Sequence, residues 1–173
     1  ADEAGPGPLA GLRVLDFSTT FSGPYCTRQL ADLGADVIKV EAPGGDITRS
    51  LGTSRSPGMA SVYVATNRGK ASLELDLKQS EAQELVRSLI ERADCLVHNM
   101  RLDAALRLGL DPETALAINP RLVHTAITGF GSDGPYAGRP AYDDIIQAMS
   151  GLAWLQSPAG STDGTGTADA SYV

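Results

Sequence analysis

The chain has 173 residues, of which 42% are hydrophobic and 20% charged, with a formal net charge of -7. This is the composition of a globular chain able to bury a core rather than a disordered one, and its acidic balance argues against a broad nucleic-acid footprint. No apolar run approaches the roughly 18 residues of a membrane span, and the acidic start ADEAGPGPLAGL lacks the apolar core of a secretory leader, so a cytoplasmic protein is expected.

Residues 1–8 read as a flexible lead-in. LRVLDF (12–17) has the apolar, β-branched character of a buried strand. STTFSGPYCTRQLADLG follows as a helix, with Ser22 as cap, Pro24 in the first turn and Tyr25, Leu30 and Leu33 as an inward stripe. Gly34 ends it and DVIKVE (36–41) is a second strand, so the first unit is βαβ with parallel strands. A Gly-, Ser- and Pro-rich stretch, EAPGGDITRSLGTSRSPGM, reads as irregular. NRGKASLELDL then carries a strand. SEAQELVRSLIERA is a helix, with Ser80 and Gln83 forming a capping box and Ala82, Leu85, Val86, Leu89 and Ile90 on one face. DCLVHN is the next strand. ALRLGLDPETALAINP gives two short helical segments, the second opened by Asp111-Pro112 and closed by Asn119-Pro120. RLVHTAI is a strand, GFGSDGPYAGRP a glycine-rich loop and AYDDIIQAMSGLAWL a helix. The sum is a Rossmann-like, doubly wound α/β fold with a mainly parallel sheet, spanning 9–156.

Ligands of such sheets bind outside the carboxyl ends of the strands. The segments there are 18–24, 41–46, 98–101 and 128–135. Glu41 ends the second strand, where a ribose-binding acid would sit. The first turn, DFSTTFSGP, nevertheless lacks G-x-G-x-x-G and no Walker cradle is present, so a dinucleotide is not expected. Cys26 and Cys95 have no metal-binding spacing and read as free thiols in a reducing compartment, and no metal site is expected. His98 and His124 read as structural. Asp143 and Asp144 are neighbours on a helix and diverge by about 100°, so they do not form an acid/base pair. Lys39, Arg49, Arg68 and Lys70 read as solvated surface that could gather into a patch for a phosphorylated ligand. From Ser157 the chain loses its apolar content. Residues 157–173 are either a disordered terminus or a loop at a site, and Asp169, flanked by small residues, would leave its carboxylate accessible.

Four stretches considered together narrow these alternatives: PLAGLRVLDFSTTFSGPYCTRQLADLGADVIKVEAPGGDITR, NRGKASLELDL, LRLGLDPETALAINPRLVHTAITGFGSDGPYAGRPAYDDIIQAMSG and GTADA. With them the chain resembles the N-terminal part of the class III coenzyme A transferase family, whose members also include the alpha-methylacyl-CoA racemases. The resemblance implies the N-terminal part of a larger two-domain fold that forms interlocked homodimers, with acyl-CoA and a carboxylic acid acceptor as substrates and no permanently bound cofactor. It implies that Asp169 is the nucleophile, on the loop at 157–173, attacking the thioester to give an aspartyl mixed anhydride. It places Phe21 and Tyr142 in the substrate pocket. Coenzyme A would lie along Lys39, Val40, Ala42 and Pro43, the segment with Asn67, Arg68 and Lys70, and the turn with Asn99 and Arg101.

Three positions refine that expectation. Racemase members carry a histidine where this chain has Tyr142, and a tyrosine with a pKa of about 10 substitutes poorly for it in proton abstraction. A transferase is therefore expected over a racemase, with a non-catalytic CoA-binding module as a further alternative. Phe21 replaces the glutamine of formyl-CoA transferase, which suggests a larger or less polar acyl group. HNMRLDAALRLGL also lacks the Arg-Pro-Gly usual in the family.

Overall fold

The computed structural model describes residues 7–156. The chain divides into two compact units on either side of Ile127 and Thr128. In the first, β1 (Arg13–Asp16), β2 (Asp36–Glu41), β3 (Ala71–Glu74), β4 (Cys95–His98) and β5 (Val123–Ala126) form one five-stranded sheet in the order β3-β2-β1-β4-β5. Every pairing is parallel, with Asp16 in register with Lys39 and Leu96 with His124. Strand order reverses between β1 and β4. This is the switch point at which an open parallel sheet leaves a crevice beyond its carboxyl ends.

Alternation along the strands sends successive side chains to opposite faces. On one face Leu15, Phe17, Val40 and Leu96 pack with Val86 and Ile90 of α3 (Ser80–Ile90), Ala105 of α4 (Leu102–Leu108) and Ala115 of α5 (Pro112–Ile118). On the other, Val14, Val37 and Val97 pack with Leu30 and Ala31 of α1 (Ser22–Asp32). Beyond that apolar patch, the α1 side carries Asp16, Lys39 and Glu41, all buried.

Several local expectations change. α1 lies closer to the sheet than an apolar stripe allows: its buried residues are Gly23, Pro24 and Thr27, while Tyr25 and Leu33 are exposed. A Cβ at Gly23 would come within 2.2 Å of the Ser18 Cβ, so the helix can approach only because this residue has no side chain. Neither Ser22 nor Ser80 caps its helix. Gln83 donates to the Leu77 carbonyl instead of closing a capping box, and Leu85 is exposed. The stretch read as irregular, residues 41–59, contains a short 3-10 turn (Ile47–Ser50), and α2 (Ser61–Asn67) follows it where no element was expected. α5 begins as expected, with the Asp111 carboxylate accepting from the Thr114 N–H.

In the second unit, the expected single helix is two, α6 (Asp143–Met149) and α7 (Leu152–Leu155), because Gly151 turns to φ 78 between them. Among the described residues no helix is long and apolar enough to cross a membrane, and no group of His, Cys, Asp or Glu could hold a metal ion.

Candidate functional site

The carboxyl ends of β1 and β2 and the amino end of β3 meet on the α1 side in a buried polar network. Asp16 is fully buried. One of its carboxylate oxygens accepts from the Ser18 N–H at 2.9 Å and from the Ser18 hydroxyl. The other accepts from the Thr27 hydroxyl at 2.6 Å and from Lys70 Nζ at 2.8 Å. Lys70, its side chain 1% exposed, also donates to the Pro24 carbonyl and to Asn67 Oδ1, both at 2.8 Å, which engages all three of its N–H donors. Burial pushes the Lys70 pKa down and the Asp16 charge opposes the shift.

A second pair lies beside it. Lys39 Nζ contacts the Asp46 carboxylate at 3.0 Å, with both side chains 1% exposed, and donates to the Ser18 carbonyl at 2.8 Å. Asp46 caps the 3-10 turn by accepting from the Thr48 N–H and hydroxyl, and also accepts from the Thr20 N–H at 3.2 Å. Burial alone would raise the Asp46 pKa, but the Thr48 N–H and Lys39 hold it below the usual carboxylate range.

Glu41 forms a third node. Arg49 binds its two carboxylate oxygens with Nε at 2.7 Å and Nη2 at 2.6 Å, the fork geometry that makes arginine–carboxylate pairs strong. Ser72, Tyr63 and the Asp46 N–H complete its hydrogen bonds. Burial would raise the Glu41 pKa, yet these donors, Arg49 first, bring it down to about 2. Burial, reinforced by the Glu41 carboxylate, pushes Tyr63 up to about 12. Glu41 is therefore no free ribose ligand.

These nodes frame the loop after β1. Asn99 bridges the switch point, its Oδ1 accepting from the Thr19 N–H at 2.9 Å and its Nδ2 donating to the Thr19 carbonyl at 2.8 Å. Thr20 sits at φ 72, a left-handed conformation that is rare for a β-branched residue and costs on the order of 1–3 kcal/mol. Between this loop and the end of β2 opens a cleft of about 220 Å³, lined by Thr19, Val40, Ala42, Gly45, Asp46 and Ile47. Lys39 and Glu41 close its inner wall. The cleft offers apolar wall and backbone, with its charges already paired.

The sequence-derived site residues thus separate by environment. Lys39, Val40 and Ala42 border the cleft, and Ala42 and Pro43 are exposed. Asn67 is buried and donates to the Tyr63 carbonyl. Lys39 and Lys70 are not solvated surface but interior charges, each with a carboxylate. Arg68 is exposed and paired with Asp32 at 3.0 Å. Arg101 is exposed and Asn99 half-buried. Phe21 is 60% exposed and stacks on Tyr25. Tyr142, 71% exposed, precedes α6, where Asp143 accepts from Gln147. Asp169 lies outside the described residues.

Sequence reasoning passed over Asp16 and Asp46. The signal for Asp16 was its place within an otherwise apolar strand, since a charge there must find a partner. For Asp46 it was the Asp-x-Thr turn after two glycines.

Comparison with known proteins identifies the frame. The family profile described as CoA-transferase family III matches residues 9–172. The chain belongs to that family. A succinate–glutarate CoA-transferase of Agrobacterium fabrum is 45% identical over 164 residues, covering 91% of this chain and 40% of that protein. A succinyl-CoA:mesaconate CoA-transferase of Haloarcula hispanica is 42% identical over 169 residues, covering 93% of this chain and 42% of that protein. Among solved structures, a CaiB/BaiF family protein from Brucella suis superposes with a TM-score of 0.81 at 45% identity, covering 86% of this chain and 40% of that one. The chain therefore spans about 40% of the length of the relatives it matches.

Proposed function

We propose that this family III chain carries the CoA-binding frame and the nucleophile of an acyl-CoA:carboxylate CoA-transferase, its site completed by sequence equivalent to the rest of its longer relatives. The observation that most supports the reading is the extent of the family match, residues 9–172, which includes Asp169. In this mechanism the Asp169 carboxylate attacks the thioester carbonyl, forming an aspartyl–acyl anhydride as the C–S bond breaks and CoA thiolate leaves. The thiolate then attacks the aspartyl carbonyl, giving an aspartyl-CoA thioester and releasing the donor acid as carboxylate. The acceptor carboxylate displaces the thiolate to form a new anhydride. Attack of the thiolate on the acceptor's acyl carbon yields the new acyl-CoA and frees Asp169. No net proton is consumed.

The proposal extends to substrate and binding. The named relatives act on succinate, glutarate and mesaconate derivatives, so a short dicarboxylic acid is the proposed acyl class, larger than formyl, in keeping with Phe21 in place of glutamine. Tyr142 in place of a racemase histidine supports transfer over racemisation. Coenzyme A is proposed to run along Val40, Ala42 and Pro43, with the exposed Arg68 and Arg101 as phosphate partners. Lys39, Asn67, Lys70 and Asn99 are proposed to hold the backbone around it, and the working form to be a homodimer.

The test is a donor–acceptor panel. With succinyl-CoA and glutarate, mesaconate or oxalate, the intact protein should produce the acceptor's CoA thioester, followed by mass spectrometry. Exchange of the α-hydrogen in deuterated water without CoA transfer would instead establish the racemase. Binding of CoA with neither reaction would leave a binding module.

A further inference from the structure

Three consecutive residues of the loop after β1 are held by side chains from three places. The Ser18 carbonyl accepts from Lys39 at the end of β2. The Thr19 N–H and carbonyl pair with Asn99 beyond β4. The Thr20 N–H is taken by Asp46 in the turn after β2. Thr19 and Thr20 are themselves exposed. The buried ion pair therefore serves backbone groups of a surface loop as well as the 3-10 turn, and it does so where Thr20 adopts a left-handed conformation. Thr19, Lys39 and Asp46 also all border the cleft.

We infer that Lys39 and Asp46 form a positioning pair that locks the Ser18 and Thr20 backbone groups, on either side of Thr19, against the β2 end of the cleft, so that an acyl-CoA meets a preformed wall. The inference rests on the proposed CoA-transferase reading for its ligand, but not for its geometry. Lys39 and Asp46 touch the loop and are positioning residues, not catalytic ones. A bare stability role predicts something different. Buried ion pairs can often be replaced by apolar residues of similar size without loss of stability, whereas the Ser18 carbonyl and Thr20 N–H would then have no partner, and the loop would move.

The discriminating variant is the double substitution Lys39→Met with Asp46→Leu in the intact protein, beside Lys39→Met alone. The single variant strands Asp46 and should lower the denaturation midpoint, and the double variant should recover part of it, the Asp46 cap on Thr48 remaining lost. Amide hydrogen exchange should nonetheless be at least about tenfold faster at residues 18–21 in the double variant, while β1 and β4 keep their protection. KM for the acyl-CoA should rise about tenfold while kcat changes less than about threefold. Unchanged exchange at residues 18–21 would overturn the positioning role. Faster exchange with unchanged KM would overturn its link to the cleft. If the unsubstituted protein transfers no CoA, the functional proposal fails, and the exchange measurement still decides whether the pair holds the loop.

Discussion

The two faces of the sheet carry opposite solutions at the same strands. Toward α3, α4 and α5, the ends of β1, β2 and β4 bury Phe17, Val40 and Leu96. Toward α1, the neighbouring positions bury Asp16, Lys39 and Glu41. Burying an aliphatic side chain stabilises by about 1.5–3 kcal/mol and needs no particular geometry. Ionised groups must recover a desolvation cost through well-aligned partners, and they gain little net stability for it. The polar face is thus an inefficient way to hold a fold together and an effective way to fix atoms. Its hydrogen bonds end on loop backbone at the crevice, while the apolar face supports the sheet from behind.

That contrast can be broken most severely at Asp16. Asp16→Ala removes a carboxylate that accepts from Lys70, Thr27 and Ser18, leaving a buried ammonium without its counter-charge. A loss of about 3–5 kcal/mol is expected in chemical denaturation. Leu96→Ala, on the apolar face and fully buried, should cost about 3 kcal/mol through the cavity it leaves. It should leave hydrogen exchange at residues 18–21 unchanged. If Leu96→Ala loosens that loop as much as the charged-pair variants do, the two faces are not separable.

Acid distinguishes the faces next. His98, 2% exposed on the apolar side, accepts from the Met100 N–H through Nδ1 and has a buried Nε2 with no hydrogen-bond partner among the described residues. Burial, with a smaller effect of His124, brings its pKa down to about 4 from 6.5. The unfolded state then binds more protons between those values, so its contribution to stability, on the order of 3 kcal/mol, is complete above pH 6.5 and is lost as pH falls to about 4. Glu41, with a folded pKa of about 2 against 4.5, contributes stability that is lost between pH 4.5 and about 2. Denaturation across pH should show both windows. His98→Leu should flatten the upper one and leave the lower, and an unchanged profile would contradict the assignment. The smallest effect is at α5, where Asp111→Ala removes the cap on Thr114 and should cost about 1 kcal/mol with no change in acyl-CoA affinity.

How far the sequence revealed this follows the same division. The five strands and their mainly parallel direction were legible because apolar runs and strand–helix alternation are local signals. The α3 face was largely legible too, though Leu85 lies outside it. α2 was missed because SVYVATN is short and directly follows a stretch dominated by Gly, Ser and Pro. The break at Gly151 was missed because a single glycine within an apolar periodic run does not reveal whether its φ is positive. The polar face was the least legible. Lys39 and Lys70 looked like solvated surface, since their partners Asp46 and Asp16 lie 7 and 54 positions away. The Lys70–Asp16 pair depends on strand order, and the Lys39–Asp46 pair on how the turn after β2 folds back, neither of which spacing alone encodes. Asp169 owes its proposed role to the family resemblance, because an aspartate among small residues carries no distinguishing local pattern.

The central claim is covalent chemistry at that aspartate, and trapping tests it most directly. The intact protein, incubated with succinyl-CoA and hydroxylamine and then digested, should carry a hydroxamate on the peptide containing Asp169, absent without acyl-CoA and absent from Asp169→Asn. CoA transfer that proceeds with Asp169 unmodified, or undiminished in Asp169→Asn, would contradict the mechanism.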